Sequence, residues 1–109
     1  MEYYHKNLAG EKWNNLSFFE QMANIGSEIE RTIKWKDKKI EYSRLAFERA
    51  LELLDFTIAD AKNKTKLKEL LRTREALADH FFFNNEYNST DEIWQKYFFA
   101  FTWAVRINL

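Results

Sequence analysis

The chain has 109 residues, 46% of them hydrophobic and 31% charged, and no cysteine. That is enough chain for one core but too short for two domains, and it excludes disulfide frameworks, thiol catalysis and Cys-ligated metal. Seventeen basic residues balance seventeen acidic ones, so no net field gathers nucleic acid or an anionic membrane.

The opening MEYYHKNLAGEKW has no basic segment followed by an apolar run, so it does not read as a secretory signal, and a cysteine-free chain fits the cytoplasm. Residues 1–16 are expected to form an arm or a short extra helix, pinned by Trp13 and Leu16. Proline is absent and glycine occurs only at Gly10 and Gly26, so long helices meet no breakers and few tight turns are signalled. The first long helix, about 17–35, opens on the capping box Ser17-Phe-Phe-Glu20. Phe18, Met22, Ile25, Ile29 and Ile33 follow at helical spacing. Gly26 lies within this apolar arc, where glycine costs up to about 1 kcal/mol relative to alanine; it predicts either a close helix crossing or a notch for a ligand. Glu30, one turn on, stands at the edge of the same arc, where a carboxylate needs a partner such as Arg74 or Arg49.

Asp37 is a candidate N-cap for a second helix, about 38–60. Its two apolar stripes, Ile40, Phe47, Ala50, Leu51, Leu54, Ile58 and Tyr42, Leu45, Leu53, Phe56, predict cover on two sides. Glu48, Glu52 and Asp55 read as its solvated strip. The polar segment AKNKTK leads to a third helix, about 65–83, in which Leu67, Leu70, Leu71, Leu77, Ala78, Phe81 and Phe82 form one stripe with Arg74 in its middle. A guanidinium cannot shed its charge to ease burial, so Arg74 predicts either an internal carboxylate partner such as Glu30 or a binding site. His80 follows six positions later, about 240° round the helix, and so does not share that face.

The fourth helix, about 90–107, opens on the box Ser89-Thr-Asp-Glu92 and is apolar almost all round. Trp94, Phe98, Phe99 and Trp103 are its candidate interface residues, either as a central core helix or as a patch for dimerisation. The uncharged run 97–105 is about half of a bilayer crossing, so no membrane partner is expected. Short connections favour antiparallel neighbours. The expected architecture is therefore a single all-α domain over 1–109, an up-and-down antiparallel four-helix bundle with its N-terminal arm. No metal-ligand spacing joins His5 and His80, and no cofactor motif is present.

Through MANIGSEIERTIKW, AFERALELLDFTIADAKNK, LKELLRTRE and NEYNSTDEIWQKYFF the chain resembles a family of small uncharacterised prokaryotic proteins, a resemblance that brings no activity or cofactor with it. More distantly, its size, its helical class and Arg74-x5-His80 before a hydrophobic segment are similar to the HEPN superfamily. That likeness implies a metal-independent ribonuclease or toxin component with its site across a dimer. Arg74 would stabilise phosphate charge, His80 would act as general acid or base, and Glu75 would stand where a polar residue is usual.

Three functions are thus expected of such a chain. One is a non-enzymatic cytoplasmic bundle that binds itself or a protein partner through the fourth helix. A second is the HEPN-like ribonuclease, or an inactive relative, with nucleic acid as its partner. The third is a bundle that holds a small anionic ligand near Gly26, Glu30 and Arg74.

Overall fold

Caps and apolar periods decide where the chain turns helical. The computed structural model describes residues 11–107, and the regular structure of those residues is entirely helical. A short helix α1 (Glu11–Asn14) leads to α2 (Phe18–Trp35), α3 (Ile40–Ala59), a 3-10 segment (Ala61–Lys66), α4 (Leu67–Phe82) and α5 (Asp91–Ile107). Residues 1–10, including His5, lie outside the described part.

The box that starts α2 is fully formed. The Glu20 amide donates to Ser17 Oγ at 3.1 Å, and the Ser17 amide donates to Glu20 Oε1 at 2.9 Å, so two orphan donors of the first turn are satisfied. Asp37 does not cap α3. The amides of Lys38 and Lys39 both donate to the Trp35 carbonyl, which folds residues 36–38 into a turn, and the helix starts from Lys39 with no side-chain cap. The box expected at Ser89 is also displaced, because the Ile93 amide donates to Thr90 Oγ1 at 3.1 Å. Ser89 belongs instead to the preceding loop. Its amide and carbonyl bond to the Asn85 side chain at 2.9 Å each. Asn85 and Asn88 take the left-handed backbone (φ 52° and 55°) that asparagine tolerates.

Helix α2 packs against both α3 and α5, with α4 lying against α3. Met22, Ile25 and Ile29 of α2 meet Phe47, Leu53 and Leu54 of α3, Leu70 and Leu77 of α4, and Trp94 and Phe98 of α5 in one core. Trp13 closes it from α1, donating from Nε1 to Thr57 Oγ1 at 3.1 Å.

Next to Trp13 lies a buried polar cluster. Gln21 donates from Nε2 to Asp60 Oδ2 at 2.8 Å and to the Trp13 carbonyl at 3.1 Å. Asn63 donates from Nδ2 to Gln21 Oε1 at 2.8 Å and to the Thr57 carbonyl at 3.0 Å. The segment AKNKTK, expected as a plain polar connection, is therefore a 3-10 turn tied inward by Asn63 and capped by Asp60, which accepts from the Lys62 amide at 3.1 Å.

Candidate functional site at the α2–α5 face

The site starts from Gly26. A Cβ built there would lie 2.7 Å from Phe98 Cβ, so only glycine lets α5 cross α2 this closely. The crossing sinks Phe98 and Trp94 into the core and turns the opposite side of α5 outward. Of the four expected interface aromatics, Trp94 and Phe98 are therefore core residues, while Phe99 and Trp103 are 57% and 54% exposed. The reason is angular: Phe99 and Trp103 stand between about 100° and 180° round the helix from the buried pair. Ile93 and Ile107, also more than half exposed, extend the outward face along the whole of α5.

Beside that face runs an open groove of about 450 Å³ between α2 and α5, lined by Gly26, Ser27, Glu30, Gln95, Lys96, Phe98, Phe99, Thr102 and Arg106. Gly26 and Glu30 thus come together as expected, but Arg74 does not join them. Glu30 is an exposed residue on the α5 side of α2, and the cations that share its groove are Lys96 and Arg106. The expected contact between Glu30 and Arg74 is absent.

Arg74 instead forks onto Asp55 of α3, with Nε 2.7 Å from Oδ1 and Nη2 3.4 Å from Oδ2. The bond to Asp55 pushes the pKa of the guanidinium up, against the opposing effect of partial burial. The side chain is more than a third exposed. It lies at the edge of the buried line Leu70, Thr73 and Leu77 rather than in its middle, since Leu67 and Leu71 face solvent. Around it opens a groove of about 520 Å³ that also holds Glu75, Asp79 and Glu86. Asp79 accepts from the amides of Glu86 and Tyr87 at 2.8 and 3.1 Å, and Tyr87 donates its hydroxyl to Glu75 at 2.9 Å. Carboxylates outnumber the single guanidinium, so a phosphate would meet repulsion there.

His80 is held elsewhere. Its side chain is 8% exposed, and Nε2 lies 2.8 Å from Asp91 Oδ1 at the start of α5. Lys36, just past the end of α2, reaches Asp91 Oδ2 at 2.7 Å. Burial would raise the Asp91 carboxyl, but hydrogen bonds from Lys36 and His80 outweigh it and hold the group below its ordinary value. His80 Nδ1 is buried and has no hydrogen-bond partner among the described residues. Arg74 and His80 are therefore bound to different carboxylates on different helices.

Sequence reasoning passed over the residues that fix these two groups. Asp91 stood inside the box Ser89-Thr-Asp-Glu92, and it does lie in the first turn of α5, but its bonds to Lys36 and His80 cross between helices. Asp55 read as part of a solvated strip with Glu48 and Glu52, whereas Asp55 is only half-exposed and Glu52 is buried. Among the described residues no three His, Asp or Glu side chains cluster as metal ligands, and no helix is long and apolar enough to cross a membrane. No family model matches the chain, and neither a curated protein nor a solved structure is significantly similar to it.

Proposed function

We propose that the protein is a cytoplasmic, non-enzymatic four-helix bundle of up-and-down topology that works by self-association through α5. One observation carries this reading: Ile93, Phe99, Trp103 and Ile107 stand more than half exposed on one face of one helix. Large apolar side chains exposed together in this way, here around Lys96, mark association sites. The charges on that face suit a two-fold partner. With the axis at Phe99, an antiparallel second copy sets Glu92 opposite Arg106 at both ends, as an isologous interface requires. Each of these side chains has about half of a full burial, roughly 1 kcal/mol, still to gain, which after the loss of rotational and translational freedom supports a weak dimer rather than an obligate one.

Sedimentation equilibrium from about 1 to 100 µM, a range spanning modest affinities, should show a monomer passing to a dimer. Trp103→Glu and Phe99→Glu should hold the chain monomeric without moving its thermal midpoint, because neither side chain belongs to the core. A wild-type chain that stays monomeric throughout would sink the proposal. The anionic-ligand reading loses Arg74 to Asp55, and the HEPN-like reading gains no observation in its favour, because Arg74 and His80 are each engaged by a carboxylate of their own chain.

A further inference from the structure

The charge is zero over the chain but not along it. Residues 31–49 carry seven basic side chains against three acidic ones, and they form the end of α2, the turn and the first half of α3. Trp35 and Tyr42 face each other across this turn, edge to face, with ring centroids 5.2 Å apart and planes at 84°. Together with Arg31, Leu45, Ala46 and Arg49 they line a groove of about 290 Å³. Each ring has a cation over it. Lys34 Nζ is 5.1 Å from the Trp35 centroid, and Lys39 Nζ is 4.9 Å from that of Tyr42. Glu28 takes one corner of the Arg31 guanidinium at 2.5 Å, and the side chain stays more than half exposed at the groove.

An exposed ring with cations at hand is what a single strand requires: Tyr42 is 46% exposed, and a base that takes the place of the Lys39 ammonium over the ring leaves that ammonium to meet a phosphate. The aromatic face of α5 fails that requirement, since only Lys96 and Arg106 accompany it. We propose that the α2–α3 turn binds single-stranded nucleic acid without sequence preference, one base lying against Tyr42 and the flanking phosphates on Lys34, Lys39 and Arg31. The groove is too small for a duplex. It also suits a flat anionic membrane poorly, because Arg31 and Arg49 line a concavity while the exposed Asp37 in the turn and Glu41 at the start of α3 offset the charge of Lys38 and Lys39 there.

Fluorescence anisotropy of a labelled oligo-dT of about 12 nucleotides, at about 50 mM salt, tests the site on the intact chain, with a duplex of equal length, polyglutamate and phosphatidylserine vesicles as competitors. Saturable binding is expected that the single strand competes best. The double variant Lys34→Glu and Lys39→Glu should weaken it by about tenfold or more and reduce the salt slope by at least about one. Tyr42→Ala should weaken it about fivefold with the slope unchanged, because it removes stacking alone. The thermal melt of the double variant should match wild type and that of Tyr42→Ala should fall only slightly, by the loss of its contact with Trp35, and Trp103→Glu should bind as wild type does, which separates this site from self-association. No binding at about 100 µM protein, equal competition by polyglutamate with a silent Tyr42→Ala, or preferential capture of vesicles would each overturn the proposal.

Discussion

Gly26 is where the smallest change in the sequence has the largest leverage. Its position inside the apolar arc was legible, and so was the close crossing, because an interior glycine on a core face has few other uses. The partner, Phe98, was not legible, since residues 72 positions apart meet only once the helices have docked. Alanine at 26 gains up to about 1 kcal/mol of helix propensity. Its Cβ, however, would press on a Cβ that cannot swing aside, and overpacking of this kind costs about 1–3 kcal/mol. Gly26→Ala should therefore lower stability by up to about 3 kcal/mol in urea titration, and a more stable variant would contradict the crossing. Arg74 gives the opposite lesson. A helical wheel placed it inside an apolar stripe, but Leu67 and Leu71 at the stripe's edge face water, so the buried line is rotated and the charge lies at its border. Its forked pair with the half-exposed Asp55 is screened by solvent. Arg74→Ala is expected to cost under about 1 kcal/mol, with the difference from wild type shrinking in high salt. A loss of several kcal/mol would mean a buried ion pair instead.

At the level of whole elements, the sequence marked all four long helices, with ends displaced by a few residues. Ser17 was readable because a capping box is a local pattern. The starts of α3 and α5 were not, because Asp37 and Ser89 have the right chemistry but sit in turns whose backbone bonds run to Trp35 and Asn85. The 3-10 turn between α3 and α4 was read as polar spacing, and its inward face was hidden: Asn63 looks like a loop residue until Gln21 and the Thr57 carbonyl are placed beside it. Replacing it leaves the buried Gln21 Oε1 without a donor, at about 1–3 kcal/mol for such a group, and leaves the Thr57 carbonyl with the Asp60 amide alone. Asn63→Ala should lower the unfolding free energy by about 1–3 kcal/mol, read by urea titration, whereas Lys64→Ala, on the exposed side of the same turn, should change it little.

For the molecule as a whole, the composition was sufficient for the all-helical class, while the candidate sites depended on which faces the docked helices leave open. The outward half of α5 could not be told from the inward half until Gly26 fixed the crossing. The acid behaviour is likewise a property of the assembled fold. Asp60 and Asp91 both have carboxyls held below the ordinary value of 3.8, although burial alone would raise them: Lys62 and Gln21 lower the first, Lys36 and His80 the second. A carboxyl lowered in the folded state contributes stability that is present above its unfolded value and lost as the pH falls through its folded one. The urea midpoint is thus expected to be level above about pH 5 and to fall below about pH 4. Asp91→Asn should lower the neutral plateau and shrink the acid drop, and an unchanged drop would exclude Asp91 from the linkage.

The polar groups along α2 also restrict how that helix can move. Gln21 near its start is locked to Asp60 and Asn63, the Thr32 carbonyl near its end accepts from Ser43 at 2.7 Å, and Lys36 beyond it holds Asp91. An apolar core alone would accept α2 displaced by one turn, about 5.4 Å, with leucine-sized groups refilling one another's places. Here that displacement would strand buried hydrogen-bonding groups at both ends at once. The two clusters therefore act as stops on a sliding helix, and they make the alignment that places Gly26 over Phe98 the single one the chain can keep.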